Sequence, residues 1–357
     1  MQSLAGTRAG CWLNAHQTTI SGWSNFSFTG SSAGQDQLPM GFNYQANEFL
    51  LQQNWLRIDR PLDTEAKTPS WGYHADLILP GSDYRFTVAR GLWDSQLTAN
   101  NGQPNTYGID PVQFYAQWYL PEFGQGLEIK AGRFFAQYGV ESIDASLNAL
   151  ASRSYTFIYN PFTHTGAVTT LKLNDDWSVQ NGIVTGSDVF IDSAANPTYI
   201  GSIKWAPKDG KASALFAVIL GNGQFDVSEN FHNPQIFDLV LTYKLSDKLT
   251  WTGEGLYGFT NDVPGIGYAN WYGIVNYLTY QVCDTLSATT RVEFFDDIQG
   301  QRTGYAGLYS TVTTGFTYKP KPWLWIRPEV RYDHNDARPF EGESKLITAA
   351  FDVLIRW

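Results

Sequence analysis

Several short patterns in the chain match residue spacings that do chemistry elsewhere. Gly30-Ser31-Ser32-Ala33-Gly34 has the Gly-x-Ser-x-Gly spacing that seats a nucleophilic serine on a sharp strand-to-helix turn. Here the next residues are Gln35-Asp36-Gln37-Leu38-Pro39, which offer no helix, so the match reads as a Gly/Ser-rich loop. Five histidines (His16, His74, His164, His232, His334) lie far apart, with no i, i+4 pair to hold zinc. His164 reads as a loop-packing residue. Gly265-Ile266-Gly267-Tyr268-Ala269-Asn270 lacks the third glycine and the βαβ setting of a nucleotide site. Asp296-Asp297 has the hard oxygens calcium prefers, but an exposed acidic pair is ordinarily just solvated. No catalytic residue, no metal ligand and no cofactor is expected.

The composition narrows the class. Of 357 residues, 15% are aromatic and only 16% charged, with a formal charge of −10. Soluble domains carry about a quarter charged residues, so this chain is poor in charge and rich in aromatics. Disorder is excluded by those aromatics, and nucleic acid by the lack of a basic stripe. Two cysteines, Cys11 and Cys283, exclude a disulfide framework and leave one long-range bridge open. Met1 to Gly10 carries no secretory apolar segment, so a leader is expected to be removed or to lie upstream. The longest uncharged run, Val263 to Cys283, contains Pro264, Gly265, Gly267, Asn270, Gly273, Asn276 and Gln281, which no lipid-facing helix would choose.

Strand periodicity dominates what remains. Leu324, Ile326, Pro328, Val330 and Tyr332 alternate with Arg327, Glu329, Arg331 and Asp333. Ile347, Ala349, Phe351, Val353, Ile355 and Trp357 alternate with Thr348, Asp352 and Arg356. Such period-two patterns are half-buried strands. Only Ser142 to Arg153 could hold a short helix. Tight turns at 121–126, 174–176, 207–211, 246–248, 283–285 and 319–322 alternate with longer polar loops at 80–110, 137–165, 187–197, 222–235, 260–267, 296–307 and 334–344. Short turns on one side and long loops on the other describe an outer-membrane barrel. The expected fold is all-β, a 16-stranded antiparallel transmembrane β-barrel, with 18 strands as the alternative count. Residues 1–21 would be a periplasmic extension, and 22–357 the barrel with an inward-folding loop 137–165. Strand-end aromatics, among them Trp71, Tyr119, Trp177, Trp205, Trp251, Trp271, Tyr280 and Trp323, would form the interfacial girdles. Phe351, Val353, Ile355 and Trp357 at period two resemble a terminal assembly signal. Strict alternation turns Arg133 outward, so a bulge is expected there.

The chain also resembles a family of outer-membrane β-barrel porins of planctomycetes and related bacteria. The resemblance rests on Glu48-Phe49-Leu50 through Arg60-Pro61, Ala131-Gly132-Arg133-Phe134, Tyr138-Gly139-Val140-Glu141-Ser142-Ile143-Asp144 and Ser154-Tyr155-Thr156-Phe157. It continues in Asn160-Pro161-Phe162-Thr163-His164-Thr165-Gly166 and Trp177-Ser178-Val179 through Gly186, covering about Gly22 to Trp357. Trp357 replaces the commoner terminal Phe. The resemblance implies a porin-like channel and brings no catalytic residue with it.

About sixteen strands enclose a lumen too wide for wall side chains to fill. The inward bases are Lys130, Lys172, Lys204, Lys244, Arg291, Arg327, Arg331 and Arg356. The inward acids are Glu128, Asp238, Glu254, Glu293, Glu329, Asp333 and Asp352. Eight against seven is a nearly balanced wall, which argues against a single-sign filter. General porins fold their third long loop inward, and the resemblance implies the same for 137–165. Its Glu141, Asp144 and Arg153 would then face Arg291, Arg327 and Arg331 across a constriction. The bland alternative is that the wall charges only pair across strands. The expected function is passive diffusion of small hydrophilic solutes and ions; the rival is a plugged barrel that displays its loops. Expected partners are outer-membrane lipid, the barrel-assembly machinery and, as in many porins, two further copies in a homotrimer.

Overall fold

The structure, a computed structural model, describes residues 6–227 and 231–357. Sixteen strands among them close one antiparallel barrel. The first half holds β1 (Thr19–Ser31), β2 (Phe49–Arg60), β3 (Ser70–Gly81), β4 (Gly108–Leu120), β5 (Leu127–Phe135), β6 (Thr163–Lys172), β7 (Trp177–Val184), β8 (Thr198–Trp205) and β9 (Ala212–Leu220). A two-stranded ribbon, β10 (Phe225–Asp226) with β11 (Phe231–His232), lies outside the wall. The second half runs β12 (Gln235–Lys244), β13 (Leu249–Val263), β14 (Gly267–Cys283), β15 (Leu286–Asp297), β16 (Gly307–Lys321), β17 (Leu324–His334) and β18 (Lys345–Arg356). Pairing of β1 with β18 closes the ring, so the wall has no free edge for another strand to join. The described residues contain no helix long and apolar enough to cross a membrane.

The two faces of each strand have opposite fates. On β17 and β18, Val330 and Ile347 are 58% and 54% exposed, whereas Arg331 and Leu346 are wholly buried. The outer face is therefore apolar and open to lipid, and the inner face is covered. That covering is unusual for a wall of polar residues, and its source is the loops. Segments 32–48, 82–107 and 136–162 all leave the long-loop end of the barrel. From them Phe42, Tyr84, Ile143, Tyr155 and Ile158 join the buried set. Two apolar clusters form inside the ring. One joins Tyr155 to Val168, Ile200, Leu256, Trp271 and Phe295; the other joins Phe42, Ile143 and Ile158 to Trp55, Ile78 and Trp325.

Several expectations change in the structure. Residues 142–153 do not form a helix; only Ala145–Leu147 makes a 3-10 turn, and a short α-helix follows at Tyr155–Ile158. The reason is that wall side chains, rather than i+4 amides, take the carbonyls of Ala145, Asn148, Ala149 and Arg153. A helix the alternation did not suggest, Arg8–Ala15, precedes β1, with Thr7 Oγ1 accepting the Gly10 N–H at 3.1 Å. Segment 260–267 is mostly strand, since β13 and β14 extend over it. Trp271 and Tyr119 leave the outer girdle and point inward, 0% and 8% exposed. Trp271 shares the inward parity of Val275 and Tyr277, and its indole N–H donates to the Asn160 side-chain oxygen at 3.3 Å. The register of β5 runs through Arg133 without a bulge on either neighbour. Arg133 is instead sealed by loop 82–107: it meets Asp110 at 2.7 Å and donates to Thr87 O at 2.6 Å. Cys11 and Cys283 are both free and exposed, so no bridge joins them.

Candidate functional site: the lumen and its inward loop

Loop 136–162 lies inside the barrel, where its backbone must find partners or forfeit hydrogen bonds. The wall supplies them in two sets. Carboxylates accept its N–H groups: Glu254 on β13 takes Val140 N–H at 3.1 Å, and Glu329 on β17 takes Ala151 N–H at 2.8 Å and Ser152 N–H at 3.2 Å. Glu293 on β15 takes Tyr155 N–H at 3.0 Å, Thr156 N–H at 2.7 Å and the Thr156 hydroxyl at 2.8 Å. Arginines donate to its carbonyls. Arg327 reaches Ala145 O and Asn148 O, both at 2.7 Å; Arg331 reaches Arg153 O at 2.6 Å, and Arg291 reaches Ser152 O at 2.9 Å. Charge-assisted bonds of this kind are about twice as strong as neutral ones. Neutral wall groups complete the seat: Gln53 amide to Ile143 O at 2.6 Å, and Thr317 hydroxyl to Ala149 O at 2.7 Å.

The residues expected at the constriction do come together, but in a dry cluster. Glu141 meets Arg291 at 2.6 Å, and Asp144 meets Arg57 at 3.1 Å. Arg327 pairs with Asp352, and Arg331 with Asp333 at 2.7 Å. Asp144, Arg153, Arg291, Arg327 and Arg331 are at most 2% exposed. Burial alone would raise the Glu141 carboxyl, but Arg291, Arg153 and the Ser154 N–H and hydroxyl outweigh it and hold it below its ordinary value. Of the expected wall residues, Glu293, Glu329 and Asp352 are buried under the loop, Lys130 is half-buried, and Glu128, Lys244 and Arg356 are exposed. Phe351, Val353, Ile355 and Trp357 lie along β18 and just past its end. Their outward alternation carries Phe351 and Ile355 to 39% exposure each. Gln53, Thr317, Trp271 and Arg302, whose Nε donates to Tyr159 O at 2.9 Å, were not expected to serve the loop, and nothing in their local pattern marks them.

A second buried acid sits where loop 82–107 begins. Burial pushes the Asp83 carboxyl up to about 7, opposed by Arg153 and by the Gln53 amide that donates to it at 2.8 Å. Raised in the folded state, this group stabilises the fold at acid pH, and the benefit is lost as pH rises from about 4 to about 7. Asp83→Asn is therefore expected to flatten that loss. The check is the heat-induced mobility shift on gels at pH 5 and pH 8: the wild type gains at pH 5 relative to the variant.

The loop leaves open space against β4–β9. A vestibule of about 450 Å³ opens at the short-turn end, lined by Glu128, Thr170, Lys172, Ser178 and Lys204. Glu128 and Thr170 also line a chamber of about 80 Å³ with Gln117, Lys130, Gln137 and Gln180. Gln137 and Gln180 in turn line a neck of about 10 Å³ with Tyr138, His164, Ile200 and Ala217. Shared residues stack the three spaces along the wall. The neck holds about one water molecule. Tyr138 is fixed there by donating to Pro161 O at 2.9 Å, and His164 by its Nδ1 contact with Gly186 O at 3.0 Å.

The family described as "Putative beta-barrel porin-2, OmpL-like" matches residues 17–356. The chain belongs to this porin family. As a member it is an outer-membrane β-barrel of the channel-forming kind, and the family points to transport rather than catalysis. Solved structures similar to this porin include the outer membrane channel DcaP of Acinetobacter baumannii, with 13% identity and TM-score 0.59 over 95% of this chain and 97% of that one. Pseudomonas putida OprB aligns with TM-score 0.65 and 12% identity over 99% of this chain and 97% of its own. An anion-selective porin from Comamonas acidovorans aligns with TM-score 0.60 and 8% identity over 95% and 99%. At these identities the likeness carries the fold and not the selectivity. None of the curated proteins compared by sequence matches the porin.

Proposed function

We propose that this porin is a passive diffusion channel for small hydrophilic solutes and ions, its limiting aperture set by loop 136–162 against β6–β9. The observation that carries this reading is the stack of vestibule, chamber and neck along the wall the loop leaves uncovered. The loop acts by bulk and hydrogen bonding: docked on β13–β18, it shapes the aperture with Gln137 and Tyr138. The short turns and both termini face the periplasm, the long loops face outward, and Phe351, Val353, Ile355 and Trp357 serve recognition by the assembly machinery. Trimerisation would use the outer face of β6–β8. Those strands are only 8–10 residues long, and exposed Asn181 sits among them, a poor surface for lipid.

The test is single-channel recording of the refolded protein in a planar bilayer. Stable ohmic steps are expected. A folded, heat-modifiable barrel with no conductance would favour the plugged, loop-displaying reading, for which the one-water neck already speaks.

A further inference from the structure

We infer that the channel prefers small anions, selected by six lumen bases that the loop leaves in water; this rests on the diffusion-channel reading above. A count of inward charges along the strands finds balance, but an ion in transit meets only the charges that water reaches. Burial divides the two signs unequally. Of the seven inward acids, Asp238, Glu254, Glu293, Glu329, Asp333 and Asp352 are 6% exposed or less, and only Glu128 is open to the lumen. Three of the buried six hold loop N–H groups, and Asp333 and Asp352 are tied to arginines.

The bases divide the other way. Arg291, Arg327 and Arg331 are consumed beneath the loop, whereas Lys172, Lys204, Lys244 and Arg356 are exposed and Lys130 is half-buried. Lys319 on β16, exposed and of inward parity, joins them. None of these six pairs with a carboxylate among the described residues. Two lie over an aromatic ring instead of an acid: Lys319 stands 3.7 Å and Arg356 5.5 Å from the Trp325 centroid. Lys130 similarly lies 4.6 Å from that of Tyr115.

Position strengthens the bias. Lys172 and Lys204 flank Ser178 in register across β6, β7 and β8, at the wall of the vestibule. Lys130 stands one step further in, lining the chamber beneath the neck. Four acids, Glu65, Glu128, Asp175 and Asp176, line the vestibule with Lys172 and Lys204, but three of the four stand on rim turns and only Glu128 is carried by a strand of the wall. Asp59, half-buried on β2, is held by His74 at 2.8 Å; Asp175, on a rim turn, is tied to Lys208 at 2.7 Å. Rings of charged side chains set ion preference in a water-filled pore, and inside the rim turns the wall strands carry Lys130, Lys172 and Lys204 against Glu128 alone.

The experiment is the reversal potential of the refolded channel across a potassium chloride gradient. The expected sign is that of chloride preference in the wild type. Lys130→Gln with Lys172→Gln and Lys204→Gln is expected to move the reversal potential toward potassium while ohmic steps persist. Arg338→Gln with Lys345→Gln, at the long-loop end, is expected to leave it unchanged. Conductance with zero or potassium-signed reversal in the wild type, or no movement in the triple variant, would overturn the inference. Absence of any conductance would overturn the channel reading itself, and a folded barrel seen by heat-modifiable mobility separates that outcome from misfolding.

Discussion

Glu329→Ala is expected to loosen loop 136–162 and raise single-channel conductance severalfold, with bursts of larger steps as the loop leaves the wall. Glu329 is 4% exposed, and its carboxylate receives the N–H groups of Ala151 and Ser152. Removing it orphans two buried donors, each costing about 1–3 kcal/mol. It also leaves Arg327 and Arg331, on either side along β17, with an acid fewer nearby. The two orphaned donors together cost about 2–6 kcal/mol, or roughly one and a half to four decades in the docked-to-undocked ratio. The barrel itself should survive, because every ladder hydrogen bond of β17 is made by backbone. Heat-modifiable mobility is therefore expected to persist while a protease gains access to 136–162. Glu329→Gln should fall between, since its amide keeps one accepting oxygen and adds two donors facing donors. Unchanged conductance together with an uncut loop would mean that the seat does not depend on this carboxylate.

The barrel was legible because period-two alternation reports a face directly. On β17 the outward set runs Ile326, Val330 and Tyr332, and the inward set Arg327, Glu329, Arg331 and Asp333, as the side-chain parity requires. Short turns and long loops likewise alternate wherever two strands must be joined on the same side. What alternation cannot report is whether an inward residue meets water or another part of the chain. Glu329 and Lys204 carry the same local signature, yet one is sealed under Ala151 and the other stands at the vestibule wall. The difference is made by a loop from a distant part of the sequence. Trp271 is a different case: its place near a strand end suggests a girdle residue, but the alternation of β14 puts it inward with Val275 and Tyr277, where it meets Asn160. The same limit does explain residues 142–153, whose helix-like spacing lost to arginine and threonine donors on a wall more than 160 residues away.

Gln180→Trp is expected to abolish conductance without unfolding the barrel. Gln180 is half-buried on β7, faces the lumen, and lines both the chamber and the neck. The neck has room for about one water, so an indole in place of the amide leaves no continuous water path. Its side-chain amide donates to the Thr170 hydroxyl at 3.1 Å, a contact whose loss the ladder of β6, β7 and β8 absorbs. Overpacking costs about 1–3 kcal/mol in a filled core, and less beside an open chamber. Ala217→Trp on β9 enters the same neck from a different strand and guards against a local misfold at β7. Val330→Trp, on the lipid face of β17, is the control that adds the same ring with no change in current. Wild-type conductance in both lumen variants would place the ion path elsewhere, on the loop-covered side; loss in both, with folded barrels, assigns the aperture to Gln137, Tyr138 and the β6–β9 wall.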